Sequence, residues 1–284
     1  MHPLVSAVRI LLVSASCCAL LSGCVSIATH RLAESLRGAL LNQEDPETVR
    51  SGAPAYLLLL DGLIADAPED ATLLLAGARL YSAYAGGLVE ERERRQQMTT
   101  KAKHFANRAL CRLQPELCEL QQMPFEQFNV SLYGRNSAEL EPLFVMAASW
   151  AGWIQAHGDD WNALADLSRV ENLLQYIIDR EPTYARGRAQ LYLGVIRSQL
   201  PAAMGGDPER GRDHFQRALD YSENRDLMAK VEFARSYARL VFNQALHDRL
   251  LDEVLAADPR EPDLTLSNTL AQRLARSMKR EDYF

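Results

Sequence analysis

Ile177-Ile178-Asp179-Arg180-Glu181-Pro182 decides the fold, because three other stretches repeat its pattern. They are Leu63-Ile64-Ala65-Asp66-Ala67-Pro68, Leu110-Cys111-Arg112-Leu113-Gln114-Pro115 and Leu255-Ala256-Ala257-Asp258-Pro259. Each runs from apolar residues through a polar turn to Pro. A proline pushes the residue before it out of helical geometry, so each stretch predicts the end of a helix. Between these endings, apolar residues recur at steps of three and four. Leu227, Val231, Ala234, Ala238 and Val241 form one such series, with Arg235 and Arg239 on another side. Leu250, Leu251, Val254 and Leu255 do the same in the next segment. Two-residue alternation and Asn-Gly hairpin signals are absent, so the sequence predicts an all-α chain.

The Pro endings resemble those of tetratricopeptide repeats. The second helix of such a repeat wants a small residue, a large one four later and a small one three after that. Gly211, Phe215 and Ala218 fit this spacing, and Ala102, Ala106 and Ala109 fit it with a small middle residue. Leu193-Gly194 suits a first helix, although Arg197 stands where an aromatic belongs. Prolines 68, 115, 182 and 259 are irregularly spaced, which implies degenerate repeats with insertions. The expected architecture is a degenerate tetratricopeptide-like helical-hairpin array, an α-solenoid with a concave binding face. A plain antiparallel bundle is the alternative.

The start of the chain reads differently. Arg9 precedes an uncharged run that ends in Leu21-Ser22-Gly23-Cys24. That is the build of a secretory signal. The run is about a dozen residues, short of the roughly 20 a membrane span needs. The small residues before Cys24 resemble a bacterial lipobox, which predicts a signal peptide over 1–23 and acylation of Cys24. Residues 24–284 then form a single helical domain. Without the leader, which holds one basic residue and no acid, the chain has 261 residues and net charge −7. An acidic chain has no electrostatic reason to bind nucleic acid. Cys17 and Cys18 leave with the signal, so Cys111 and Cys118 remain. An oxidising compartment allows a local disulfide between them, with two free buried thiols as the other reading.

Four stretches are candidates for function. Residues 143–156 carry no charge, follow a helix start at Glu141-Pro142, and contain Trp150 and Trp153 beside Ala147, Ala148, Ala151 and Gly152. A helix apolar all round is buried or faces a cavity. Core packing is the default, and a Trp-lined ligand channel is the sharper reading. Asp160 after this helix is an N-cap candidate. Gly205-Gly206-Asp207-Pro208 forms a tight loop before a helix, with Asp207 as cap, and no Walker spacing follows. Tyr81 and Tyr84 are core or channel wall. The run from Glu90 to Arg95 reads as a solvated face with close-range ion pairs. No hydrolase, zinc or nucleotide motif is present, so no catalytic residue, metal or cofactor is assigned. His104 and His214 occupy equivalent places in the repeat pattern. His247-Asp248 reads as the start of a helix.

Taken in order, several stretches resemble the T-component family of TRAP (tripartite ATP-independent periplasmic) transporters. They are Gly52-Ala53-Pro54-Ala55-Tyr56-Leu57, Leu80-Tyr81-Ser82-Ala83-Tyr84-Ala85-Gly86 and Trp150-Ala151-Gly152-Trp153-Ile154. Leu191-Tyr192-Leu193-Gly194, Gly205-Gly206-Asp207-Pro208, His214-Phe215 with Ala218-Leu219, and Ala238-Arg239-Leu240-Val241-Phe242 continue the series, which ends in Leu246-His247-Asp248-Arg249-Leu250-Leu251. The resemblance implies a non-enzymatic periplasmic lipoprotein, commonly trimeric, with a hydrophobic channel through each protomer. Its partner is then the solute-binding component of a TRAP transporter, to which it is expected to pass a small hydrophobic molecule. Val25 lacks the Asp associated with inner-membrane retention, so the outer membrane is the expected location. Trp150, Trp153, Tyr81, Tyr84, Tyr192, Gly205 and Gly206 are the expected channel residues. The rival expectation is a tetratricopeptide scaffold lipoprotein for envelope or outer-membrane assembly.

Overall fold

The computed structural model describes Ser35 and residues 37–134, 139–199, 201–204, 206–281 and 283. The leader, Cys24 and Gly205 lie outside the described residues. The described residues are helical, with no strand among them. The helices are α1 (Pro46–Asp66), α2 (Ala71–Leu88), α3 (Arg92–Leu113), α4 (Phe125–Tyr133), α5 (Leu140–Ala156), α6 (Trp161–Ala165) and α7 (Leu167–Arg180). They continue as α8 (Tyr184–Arg197), α9 (Pro208–Tyr221), α10 (Leu227–Glu232), α11 (Gln244–Ala256) and α12 (Thr265–Met278).

The proline endings fall as the sequence predicts. Helices α1, α3 and α7 each stop two residues before their Pro, and α11 stops at Ala256 before Pro259. Helix starts follow their caps: Asp45, Asp70, Asp160, Asp207 and Asp226 each accept backbone N–H bonds in the first turn. The cap of α11 is Asn243 rather than the His247-Asp248 pair. The 227–241 series also changes part-way. Residues Phe233–Ala238 widen into a π-type turn and Phe242 takes φ 53°. Leu227, Val231, Ala234 and Ala238 stay buried, while Val241 comes out to the surface. In the Glu90–Arg95 run, Arg50 reaches Glu90 from α1, Arg92 pairs with Asp159, and Arg95 donates to the Val89 carbonyl. The run therefore ties neighbouring segments together, while Arg95 also donates to the Glu90 carbonyl within it.

Successive helices pack in sequence: α2 on α3, α3 on α5, α5 on α7, α7 on α8, α8 on α9. Two hydrophobic clusters result. The larger runs from Val49 in α1 to Ile196 in α8, and the smaller gathers Phe215, Leu219, Val231, Leu251 and Met278 from α9 to α12. Helix α8 serves both: Ala189, Leu193 and Ile196 belong to the first, while Leu191 and Val195 pack on the second. Helix α12 does likewise, with Leu266 and Leu270 against the first cluster and Ala271, Ala275 and Met278 in the second. The array thus curls until its ends meet. Arg260 pairs with Glu44, Arg273 with Glu47, and the Asp263 N–H donates to Asn42.

Cys111 and Cys118 form a disulfide across the end of α3 and the Pro115–Leu117 turn. At the joint between the clusters, α8 and α9 approach closely through glycine. A Cβ on Gly194 would lie 2.9 Å from the Phe215 ring, which is fully buried and stacks on Phe233 at 4.9 Å. Gly187 has φ 83°, ending a left-handed turn with Ala185 and Arg186, and a Cβ there would meet Ala218 Cα at 3.1 Å.

Gly194→Ala should destabilise the fold by about 1–3 kcal/mol through overpacking against Phe215, measured by urea unfolding. His214 beside that joint gives a second expectation. Burial, followed by Arg217, Arg210 and Arg197, lowers its pKa from 6.5 to about 4. The unfolded chain therefore binds the proton more readily than the folded one. Stability is complete above about 6.5 and falls as pH drops towards 4. His214→Gln should lose about 2–3 kcal/mol less than wild type across that window, read from unfolding curves at its two ends.

Candidate functional site

Helix α5 is uncharged for most of its length, yet one face stays open. Phe144, Ala148, Ala151 and Gly152 keep accessible surface and Gln155 is exposed, at the three- and four-residue spacing of a single helix face. A Cβ on Gly152 would meet nothing within 4 Å, so small residues here leave space instead of admitting another helix. Helix α8 has a matching series in Tyr184, Arg188, Leu191, Tyr192 and Val195, all partly accessible. Phe144 joins the two faces: its ring centroid is 5.3 Å from that of Tyr184 and 6.0 Å from that of Tyr192.

Tyr192 is the most informative side chain of this stripe. Protein surrounds it and burial raises its pKa, yet it keeps accessible surface. Its hydroxyl makes no hydrogen bond to the described residues, although a buried tyrosine normally finds one. Charges lie nearby: Arg188, Glu232 and Asp226 all act on it, Arg188 lies 3.8 Å from Asp226, and Arg235 holds Glu232 through both carboxylate oxygens. The stripe therefore has an apolar wall on α5 and a polar end with balanced charge. Burial also raises the pKa of Tyr184, helped by Glu141.

The structure separates the residues expected from sequence. Trp150 is fully buried and its indole donates to Asp166 at 3.1 Å. Tyr81 and Tyr84 are buried, with hydroxyls donating to Asp61 and to the Arg50 carbonyl. These three are core, because each lies among apolar neighbours with its polar atom satisfied. Trp153 is partly accessible on another side of α5. It stacks on His157 at 4.7 Å, donates to Thr100, and carries the Lys103 ammonium 3.7 Å from its ring. Gly206 is partly accessible, and its N–H bonds the Pro201 carbonyl. Of the expected residues that are described, only Tyr192 lies on the Phe144 stripe. Phe144 and Tyr184 were missed; the spacing Phe144, Ala148, Ala151, Gln155 was the available signal. Two cavities, of about 130 Å³ beside His214 and about 260 Å³ beside Arg108, lie away from it.

Among the described residues, the all-α array closes on itself around two clusters and leaves a partly accessible apolar stripe on α5 and α8. The chain belongs to the TRAP transporter T-component family, whose family model matches residues 42–284. That makes it an accessory component of a TRAP transport system. No curated protein matches it. Among the described residues, no helix is long and apolar enough to cross a membrane.

Trp150→Ala should cost about 3–5 kcal/mol, as expected for a buried aromatic. Tyr192→Phe should change stability by less than about 0.5 kcal/mol, since it removes a hydroxyl with no hydrogen-bond partner among the described residues. Thermal and urea unfolding of the two variants checks both.

Proposed function

We propose that this protein is a lipid-anchored accessory component that holds a small apolar molecule along the Phe144–Tyr192 stripe and passes it to the solute-binding component of a TRAP transporter. The accessible apolar face of α5 carries this reading. A helix with no charge from Leu143 to Ala156 would ordinarily be buried on every side, and leaving part of it open costs hydrophobic free energy. A molecule bound there offsets that cost. Acylation of Cys24 keeps the domain at the periplasmic face of the outer membrane, within reach of a diffusing binding protein. The family resemblance adds a homotrimer to this picture. Trp153 and the Gly206 loop are left as outlying contacts of the same route.

In-cell crosslinking followed by mass spectrometry tests the partner. A periplasmic solute-binding protein should be the main product; outer-membrane assembly or pilus proteins in its place would establish the scaffold role. Ala148→Trp tests the stripe. It should abolish the fluorescence gain of an apolar naphthylamine dye seen with wild type, while the unfolding midpoint stays within a few degrees. Unchanged dye binding in the folded variant rules the stripe out.

A further inference from the structure

Helix α9 presents Arg210, His214 and Arg217 at the i, i+4, i+7 positions of one face. Together with Asp213 and with Gln175 and Ile178 of α7, they line a half-open cavity of about 130 Å³. The charges around it do not balance. Among the described residues Arg210 has only Asp207, the N-cap of its own helix, 3.8 Å away. Asp213, the one acid in the lining, is shared with Arg212. Arg217 has no carboxylate partner among the described residues, in a protein whose arginines are mostly paired. On the packed helices, Glu171 of α7 is taken by Arg197 of α8, and Asp179 accepts from Gln175.

His214 lies at the bottom of this positive cavity. Its Nδ1 is 2.6 Å from the Gln190 amide oxygen, which can only accept, so Nδ1 carries the proton and Nε2 is bare. Burial and three arginines hold the ring neutral at pH 7, opposed only by Asp213.

We propose that this cavity is a carboxylate-binding site, with the Arg217 guanidinium as its main partner and Arg210 as its second. A guanidinium offers the planar paired donors a carboxylate fits. Pockets for whole drug-sized ligands run to roughly 300–1,000 Å³, so this one takes a carboxylate and a few carbons. The occupant is a short organic acid or an Asp or Glu side chain of a docking protein, and both use the same chemistry. An anion beside the ring also favours its protonated form. Carboxylate affinity therefore rises as pH falls below neutrality, and proton and carboxylate bind with positive coupling. The site stands apart from the aromatic stripe, and its fate does not depend on that reading.

The test is NMR of the full chain labelled at histidine and arginine, titrated with acetate against chloride at equal ionic strength. The chloride arm removes simple screening of the arginines. Without acetate, His214 should titrate near 4. Acetate should raise that midpoint by about one unit, a tenfold gain in proton affinity, and should shift the Arg217 Nε–H at neutral pH. Arg217→Ala should raise the midpoint by itself and abolish the acetate response. If acid unfolds the chain first, the Arg217 shift at neutral pH decides. Saturation by acetate identifies a free acid as occupant. A response only to a Glu-containing peptide, lost in Arg217→Ala, identifies a docking side chain. Equal shifts with chloride, or tighter binding of inorganic phosphate than of acetate, overturn the assignment.

Discussion

Helix α8 must bury two opposite faces at once, and the rest of the protein is arranged around that demand. Ala189, Leu193 and Ile196 close the larger cluster while Leu191 and Val195 close the smaller. A helix shared in this way cannot tilt without opening one side. Its position is fixed by contact with α9, where Gly194 admits the Phe215 ring and Gly187 admits the backbone of Ala218. Close packing of this kind has little tolerance for an added methyl group. The left-handed turn at Ala185, Arg186 and Gly187 brings the chain in at the angle this contact needs. Glu261 anchors the turn: it binds both Arg186 and Arg225, and its pKa is lowered chiefly by the Arg225 hydrogen bond.

Helix α12 is the second shared element, and it works through polar side chains as well as apolar ones. Buried Asn268 accepts from the Leu227 N–H and donates to the carbonyls of Arg225 and Pro259. Gln272 donates to the carbonyls of Val254 and Ala257. Two amides thus satisfy backbone groups at the start of α10 and the end of α11 that would otherwise be buried without partners. This fastens the last helix to the smaller cluster, and the exposed pairs Arg260–Glu44 and Arg273–Glu47 bring it against α1. Exposed pairs of this type contribute roughly 0–1 kcal/mol each, so the seam between chain ends depends more on Leu266 and Leu270 than on charge.

The candidate site follows from the same geometry. Phe144, Ala151, Tyr184 and Tyr192 pack against the larger cluster and still keep accessible surface, so these faces of α5 and α8 are not filled. Phe144, Ala148, Ala151 and Gly152 leave a partly accessible apolar strip, and Tyr192 presents at one end of it a hydroxyl with no hydrogen bond to the described residues. The neighbouring charges, Arg188 with Asp226 and Arg235 with Glu232, cancel in pairs. This makes the strip different in kind from the cavity beside His214, where arginines outnumber acids.

The sequence by itself determined the helical class, the four proline endings, the caps at Asp160 and Asp207 and the uncharged run 143–156 of α5. These depend on local physics: proline geometry, capping hydrogen bonds and apolar periodicity act within a few residues. Family membership was legible because it rests on the order of many short stretches. The roles of individual aromatics were not legible. Trp150 and Trp153 are three residues apart on one helix and both meet Lys103, yet one is fully buried and bonded to Asp166 while the other is partly accessible and stacks on His157. Phe144 gained its importance from Tyr184 and Tyr192, some forty residues further along the chain. Whether a small residue admits a helix or leaves a gap also depends on what lies opposite. Gly152 faces open space, whereas Gly194 receives a ring. Only the tertiary structure decides such cases, because burial belongs to the neighbours a side chain meets and not to the side chain alone.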